Sequence, residues 1–138
     1  MKLIPLFAAL LLTSTSLTFA APAAYLMLDH SSNALMDKAT AQALWQERLP
    51  AKLVKLYPIR KWGFVSQVEG GFDEAKVCVI TARAMMMPRN GKTLVFQPAH
   101  TATAFASQAG ATMPQCRALA KAKLAEAIAA VESTLLAR

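Results

Sequence analysis

Cys78 and Cys116 are the only cysteines in the 138 residues, and the sequence around each dictates most of the architecture. Cys78 stands in "KVCVITARAMMM", a run rich in β-branched residues and long enough for a central strand. Cys116 follows Thr112-Met113-Pro114-Gln115, the entry of a helix. Thr112 is its cap, Gln115 has the capping-box spacing, and Pro114 lies in the first turn, where a missing N–H costs little. Alanine-rich sequence of high helix propensity then runs to about Leu136. Cys116, Ala120, Leu124, Ala127, Ile128, Val131 and Leu135 recur at three- and four-residue steps and line one face, with Arg117 and Lys121 on another. On the strand, Cys78 shares a face with Ile80, Ala82, Ala84 and Met86. A bond between the two cysteines therefore lays the helix start on the inner face of the sheet, where small alanines admit its backbone. Closing a loop of about 39 residues in this way stabilises the fold by on the order of 4 kcal/mol.

Such a bond belongs to an oxidising compartment, and the N-terminus supplies the route. "MKLIPLFAALLLTSTSLTFA" has a positive start at Lys2, an apolar stretch from Leu3 to Leu12, and a small-x-small ending at Thr18-Phe19-Ala20. It reads as a secretory signal peptide over residues 1–20, with Ala21-Pro22-Ala23 as the alternative cleavage site; its apolar core is too short to span a bilayer. The expected location is the periplasm or the medium, with no membrane span after cleavage. Loss of Lys2 takes the 15 basic residues to 14, against 8 acidic ones, a net charge of about +6. Residues 21–138 then make one domain, a length that buries a real core. A reactive thiol or half of a metal site needs reduced cysteines, which this compartment pairs by default.

Upstream of the strands, Asp29-His30-Ser31-Ser32-Asn33 reads as the entry to a helix from Ala34 to Trp45, with Leu35, Met36, Ala39, Ala43 and Leu44 at helical spacing. Pro50 opens a second, short helix. In "KWGFVSQVEGGF", Trp62, Phe64 and Val68 alternate with Gly63, Val65, Gln67 and Glu69, a half-buried strand that Gly70-Gly71 ends as a turn. Asn90-Gly91 predicts a type I′ hairpin returning through "TLVFQP", and Thr101 to Ser107 a weaker fourth strand. The expected fold is α+β: N-terminal helices, a three- to four-stranded antiparallel meander, and a long C-terminal helix packed on the sheet with one disulfide.

The functional reading rests on surfaces and on missing chemistry. Val77, Val79, Arg83, Met85 and Met87 share the second sheet face, which is too apolar for water. Either the N-terminal helices cover it, which is the expectation, or it is an association surface for a second copy or another protein. Lys52, Lys55, Arg60 and Lys61, with Tyr57 and Trp62 among them, form a candidate basic patch whose partner would be acidic. In an exported protein that partner is a protein or an envelope component, not nucleic acid. Met85-x-Met87 with His100 or Met113 is an alternative copper site, since thioethers are soft ligands, but only two ligands are set by spacing. Asp29, His30 and Ser31 are the residue types of a hydrolytic triad, yet adjacent residues do not converge as one. Glu69, Asp73 and Glu74 read as solvated acids, and Gly70-Gly71 lacks the pattern of a phosphate loop. No cofactor or catalytic residue is called for. The sequence reads as a small exported, non-catalytic binding protein, of the kind that serves as an inhibitor, immunity protein or envelope accessory factor.

Overall fold

A computed structural model describes residues 25–137. The expected signal segment, with its expected cleavage after Ala20, lies outside the described residues. Strand β1 (Met27–Asp29) is followed by helices α1 (Lys38–Arg48) and α2 (Lys52–Leu56). Strands β2 (Trp62–Phe72), β3 (Val77–Asn90), β4 (Thr93–Leu94) and β5 (His100–Ala109) come next, and helix α3 (Met113–Leu136) closes the chain. The sheet runs β1-β2-β3-β5, with β4 as a short appendage of β3. β2, β3 and β5 pair antiparallel, whereas β1 pairs parallel to β2. The α+β class, the helices on both sides of the strands in sequence, and the helix-to-sheet disulfide are as the sequence indicates. The sheet is mixed and curled, not a pure meander.

Cys78 and Cys116 are bonded with Cα atoms 5.7 Å apart, and both are fully buried. All seven residues expected on the apolar stripe of α3 are buried. The capping box is formed: the Thr112 N–H donates to Gln115 Oε1 at 2.8 Å and the Gln115 N–H to Thr112 Oγ1 at 3.4 Å. Thr112→Ala removes one of these acceptors and should cost about 1 kcal/mol in urea unfolding; an unchanged midpoint would mean water replaces the cap without loss.

The N-terminal helix begins later than its polar lead-in suggests. Its cap is Asp37, whose carboxylate accepts the Thr40 N–H at 2.8 Å and the Thr40 hydroxyl at 2.7 Å. Those bonds, the amide first, hold the Asp37 carboxyl below its ordinary range. Asp29 and Ser31 are drawn to β2 instead. Ser31 Oγ accepts the Val68 N–H at 2.9 Å and donates to Asp29 Oδ1 at 2.6 Å, which also accepts the hydroxyl of buried Ser66 at 3.1 Å. The would-be triad residues are thus a latch between β1 and β2.

Four assignments among the strands and turns also differ. Gly70 and Gly71 lie inside β2, and the turn falls at Asp73–Lys76, where Lys76 takes a positive φ of 60° and the Val77 N–H bonds Asp73 Oδ1. The hairpin after β3 has Gly91 and Lys92 as its central residues; only Gly91 has positive φ, as a Gly-first II′ turn requires and a type I′ turn does not. The expected return strand is two residues long, since only Leu94 of its apolar residues is covered. The expected weak strand is the ten-residue partner of β3.

The main core lies on one face. Phe64, Val68, Ile80, Ala82, Ala84 and Met86 pack with the buried residues of α1, α2 and α3. Trp45 is fully buried with its ring 5.0 Å from that of Phe64, and Tyr25 meets Phe64 edge-on at 5.5 Å. All three helices share this face, so among the described residues the opposite face has no helical cover.

Candidate functional site

Strand alternation and register define the helix-free face. Residues paired directly across strands share a face, which sets Val65, Gln67, Glu69 and Gly71 of β2 beside Met85, Arg83, Thr81 and Val79 of β3. Thr101, Thr103, Phe105 and Ser107 of β5 flank them on the other side. The face divides into three zones along the strands.

At one end Val65, Met85, Met87 and Leu94 form a small second core, with Leu26 and Leu28 against it. Met85 and Met87 are 7% and 2% exposed, so β1 and the β3–β4 hairpin cover this end of the proposed partner surface. The middle is polar: Gln67 Nε2 donates to Glu69 Oε1 at 2.7 Å, and Arg83 Nη1 reaches Gln67 Oε1 at 3.5 Å. The far end is open, with Val79 at 42% and Phe105 at 70% exposure. Val77 is half-buried and Arg83 exposed. Phe96, 76% exposed, stands after β4 with its ring 6.4 Å from that of His30. The expectation that the N-terminal helices cover this face is therefore corrected. They join α3 on the other side, because the apolar stripe of α1 packs on β1 and α3.

The candidate copper ligands do not converge. His100 pairs with Met86 and so shares the inner face, while Met85 and Met87 point outward. Among the described residues, no group of three or more His, Cys, Asp and Glu is placed to hold a metal ion. The basic residues Lys52 and Lys55 lie on α2, and Arg60 and Lys61 on the turn into β2; all four are exposed. None forms an ion pair among the described residues, where Lys123–Glu126 is the one such pair. Arg89 braces the same turn, donating from Nη1 to the Ile59 carbonyl.

A second concavity lies beside β1. Tyr25, Met27, Gln42, Gln46, Leu49 and Val54 line a mainly apolar groove of about 460 Å³. The Tyr25 hydroxyl donates to the Pro50 carbonyl at 2.7 Å, and burial pushes its pKa above the ordinary phenol range. Gln42 Nε2 approaches the Met27 carbonyl at 3.4 Å, occupying part of the free edge of β1.

Sequence reasoning did not single out Phe105 or Phe96. The signal for Phe105 is the alternation "HTATAFASQA", in which one large aromatic shares a face with threonines and a serine. No comparable periodicity marks Phe96, which lies outside any strand.

No protein-family model matches the chain, and no curated protein does. Among solved structures the chain is similar to a PelC dodecamer from Paraburkholderia phytofirmans, with 11% identity and a TM-score of 0.44 over 78% of this chain and 86% of that one. A single-substitution variant of the same dodecamer gives 12% identity and a TM-score of 0.42 over 81% and 92%. Neither likeness is close enough to assign this chain a family, an assembly or a role.

Proposed function

We propose that residues 21–138 act as a small exported, disulfide-stapled binding protein without catalysis of its own, working in the periplasm or cell envelope on an acidic protein partner. The observation that carries this reading is the open end of the helix-free face, where Val79 and Phe105 expose apolar surface that no element among the described residues covers. Large aromatics exposed beside a polar zone are the usual anchors of protein interfaces. Arg83 borders this patch and supplies its positive charge, whereas Arg60 and Lys61 at the other end of β2 and Lys52 and Lys55 on α2 are a separate basic surface with no ion pair among the described residues. A buried disulfide supports an oxidising address.

The test is site-specific photocrosslinking in the native cells, with the crosslinker at Val79 and, as a control, at Ser133 on exposed α3 surface. One discrete species from Val79, heavier than the chain by something other than its own mass, is expected, and none from Ser133. Val79→Asp should weaken that complex at least tenfold while melting stays near wild type, because the side chain is exposed. Binding should also weaken with rising salt. No crosslinked species at Val79, or the same species from both positions, would sink the reading.

A further inference from the structure

The hydrogen-bond pattern of the sheet determines which backbone groups of β5 remain unpaired. The Phe64 N–H donates to the Leu26 carbonyl at 2.8 Å, and the Ser66 carbonyl accepts the His30 N–H at 2.9 Å. Even-numbered residues of β2 therefore bond β1, and odd-numbered ones bond β3. Backbone direction alternates along a strand. Given the registers, odd-numbered residues of β3 face β2 and even-numbered ones face β5. On β5 the even residues are spent on β3. The N–H and C=O groups of Thr101, Thr103, Phe105, Ser107 and Ala109 point at an open edge, with no partner among the described residues.

Among the described residues, this edge has none of the devices that keep sheet edges apart. Short strands, lysines, prolines, bulges and covering segments all serve that end. β5 is ten residues long, and it runs in unbroken register with β3. Among its residues there is no proline and no positive φ. No Asp, Glu, Lys or Arg occurs between Lys92 and Arg117, in a chain whose net charge is +7. The other free edge, β1, has three residues and already engages Gln42.

We propose that the β5 edge pairs antiparallel with the β5 edge of a second copy, fusing two sheets into one. A two-fold axis sets each residue against a residue of the same strand, so an edge carrying charges of one sign, or a charge on the axis itself, would meet like charge. β5 has none to meet. Centred on Phe105, the pairing sets Thr103 against Ser107 of the second copy and Phe105 against its own mate. The inward residues Ala104 and Ala106 then oppose each other across the axis, small enough to let the strands close. This register keeps all outward-facing residues on one face, as directly opposed residues must be, and uses the five unpaired donors and acceptors.

Proline on an edge strand is tolerated where its N–H faces away from the sheet, so Ser107→Pro removes an outward donor and leaves the β3 ladder intact. Thr103→Lys/Ser107→Lys does the same work by charge, without altering the backbone, and guards against a fold defect in the proline variant. The full exported chain, disulfide intact, is measured by sedimentation and native mass spectrometry across a concentration series, with amide hydrogen exchange on the same samples. A dimer is expected whose amides at Thr103, Phe105 and Ser107 gain protection as concentration rises. Both variants should dissociate at least tenfold more readily with melting unchanged. A wild-type monomer throughout, a dimer whose outward amides exchange unprotected, or variants that dimerise like wild type would each overturn the pairing. Crosslinking to a different protein at Val79 does not depend on this edge, so the two readings fail separately.

Discussion

Replacing both Cys78 and Cys116 with alanine is expected to lower folding stability by about 4 kcal/mol, since the bond closes the chain across 38 residues in the unfolded state. Domains of this size hold about 5–15 kcal/mol in total, so the loss leaves a protein near the threshold of folding at growth temperature. The native state should absorb the change well, because Ala82, Ala84 and Ala120 already set a small-residue floor between α3 and β3. Urea unfolding of the double variant against wild type measures the effect, and wild type unfolded under a strong reductant should match the variant. A loss under about 1 kcal/mol would mean that the unfolded chain is already as compact without the bond as with it. Because both sulfurs are fully buried, reduction should proceed only as fast as the protein opens.

The second large effect is at Gly70. Its φ is +129°, in the region that only glycine adopts easily, and a Cβ there would lie 2.0 Å from the Val79 carbonyl oxygen and 3.2 Å from the Ile80 Cα. Both obstacles are backbone of the central strand, which cannot yield without loss of the ladder. Gly70→Ala should therefore cost about 3 kcal/mol or more, combining backbone strain with overpacking. Gly71 is the internal control: its φ is +142° but nothing lies within 4 Å of the added carbon. Gly71→Ala should show the strain alone, about 1–2 kcal/mol. Equal urea midpoints for the two variants would show that the Val79 contact decides nothing and that β2 relaxes around it. The pair of glycines lets β2 curl over β3, which is why a Gly-Gly that resembles a turn in sequence sits within a strand.

These two cases show where local information suffices. The helix from Met113 to Leu136 was legible in full, because a capping box, a proline in the first turn and a 3.6-residue stripe all act within a few residues of one another. The disulfide followed from placing one cysteine on a helix stripe and the other on a strand face, two local patterns with a single compatible geometry. Alternation in β2 and β3 correctly separated Phe64, Val68, Ile80 and Met86 from Val65, Val79 and Met85.

What the local patterns left open were choices between distant partners. Asp29 and Ser31 have the chemistry of a helix cap, and the contest is settled by β2, whose Ser66 and Val68 lie 35 or more positions away and claim them through hydrogen bonds. "TLVFQP" and the stretch from Thr101 to Ser107 both read as strands, yet β3 has one edge left after β2 binds, and the longer uncharged segment takes nearly all of it. Periodicity put Met85 and Met87 on the outer face but says nothing of what lies above it. Leu26, Leu28 and Leu94 arrive there only through the parallel pairing of β1 and the fold of the β3–β4 hairpin. For the same reason Phe105 was invisible as a candidate contact until the helices were seen together on the opposite face. By itself, the sequence determined the C-terminal helix, the strands β2 and β3, which face of each is apolar, and the cross-link between them. Tertiary structure alone decided which edges pair and which faces stay open, because pairing energy depends on what else competes for the same backbone groups and the same apolar area.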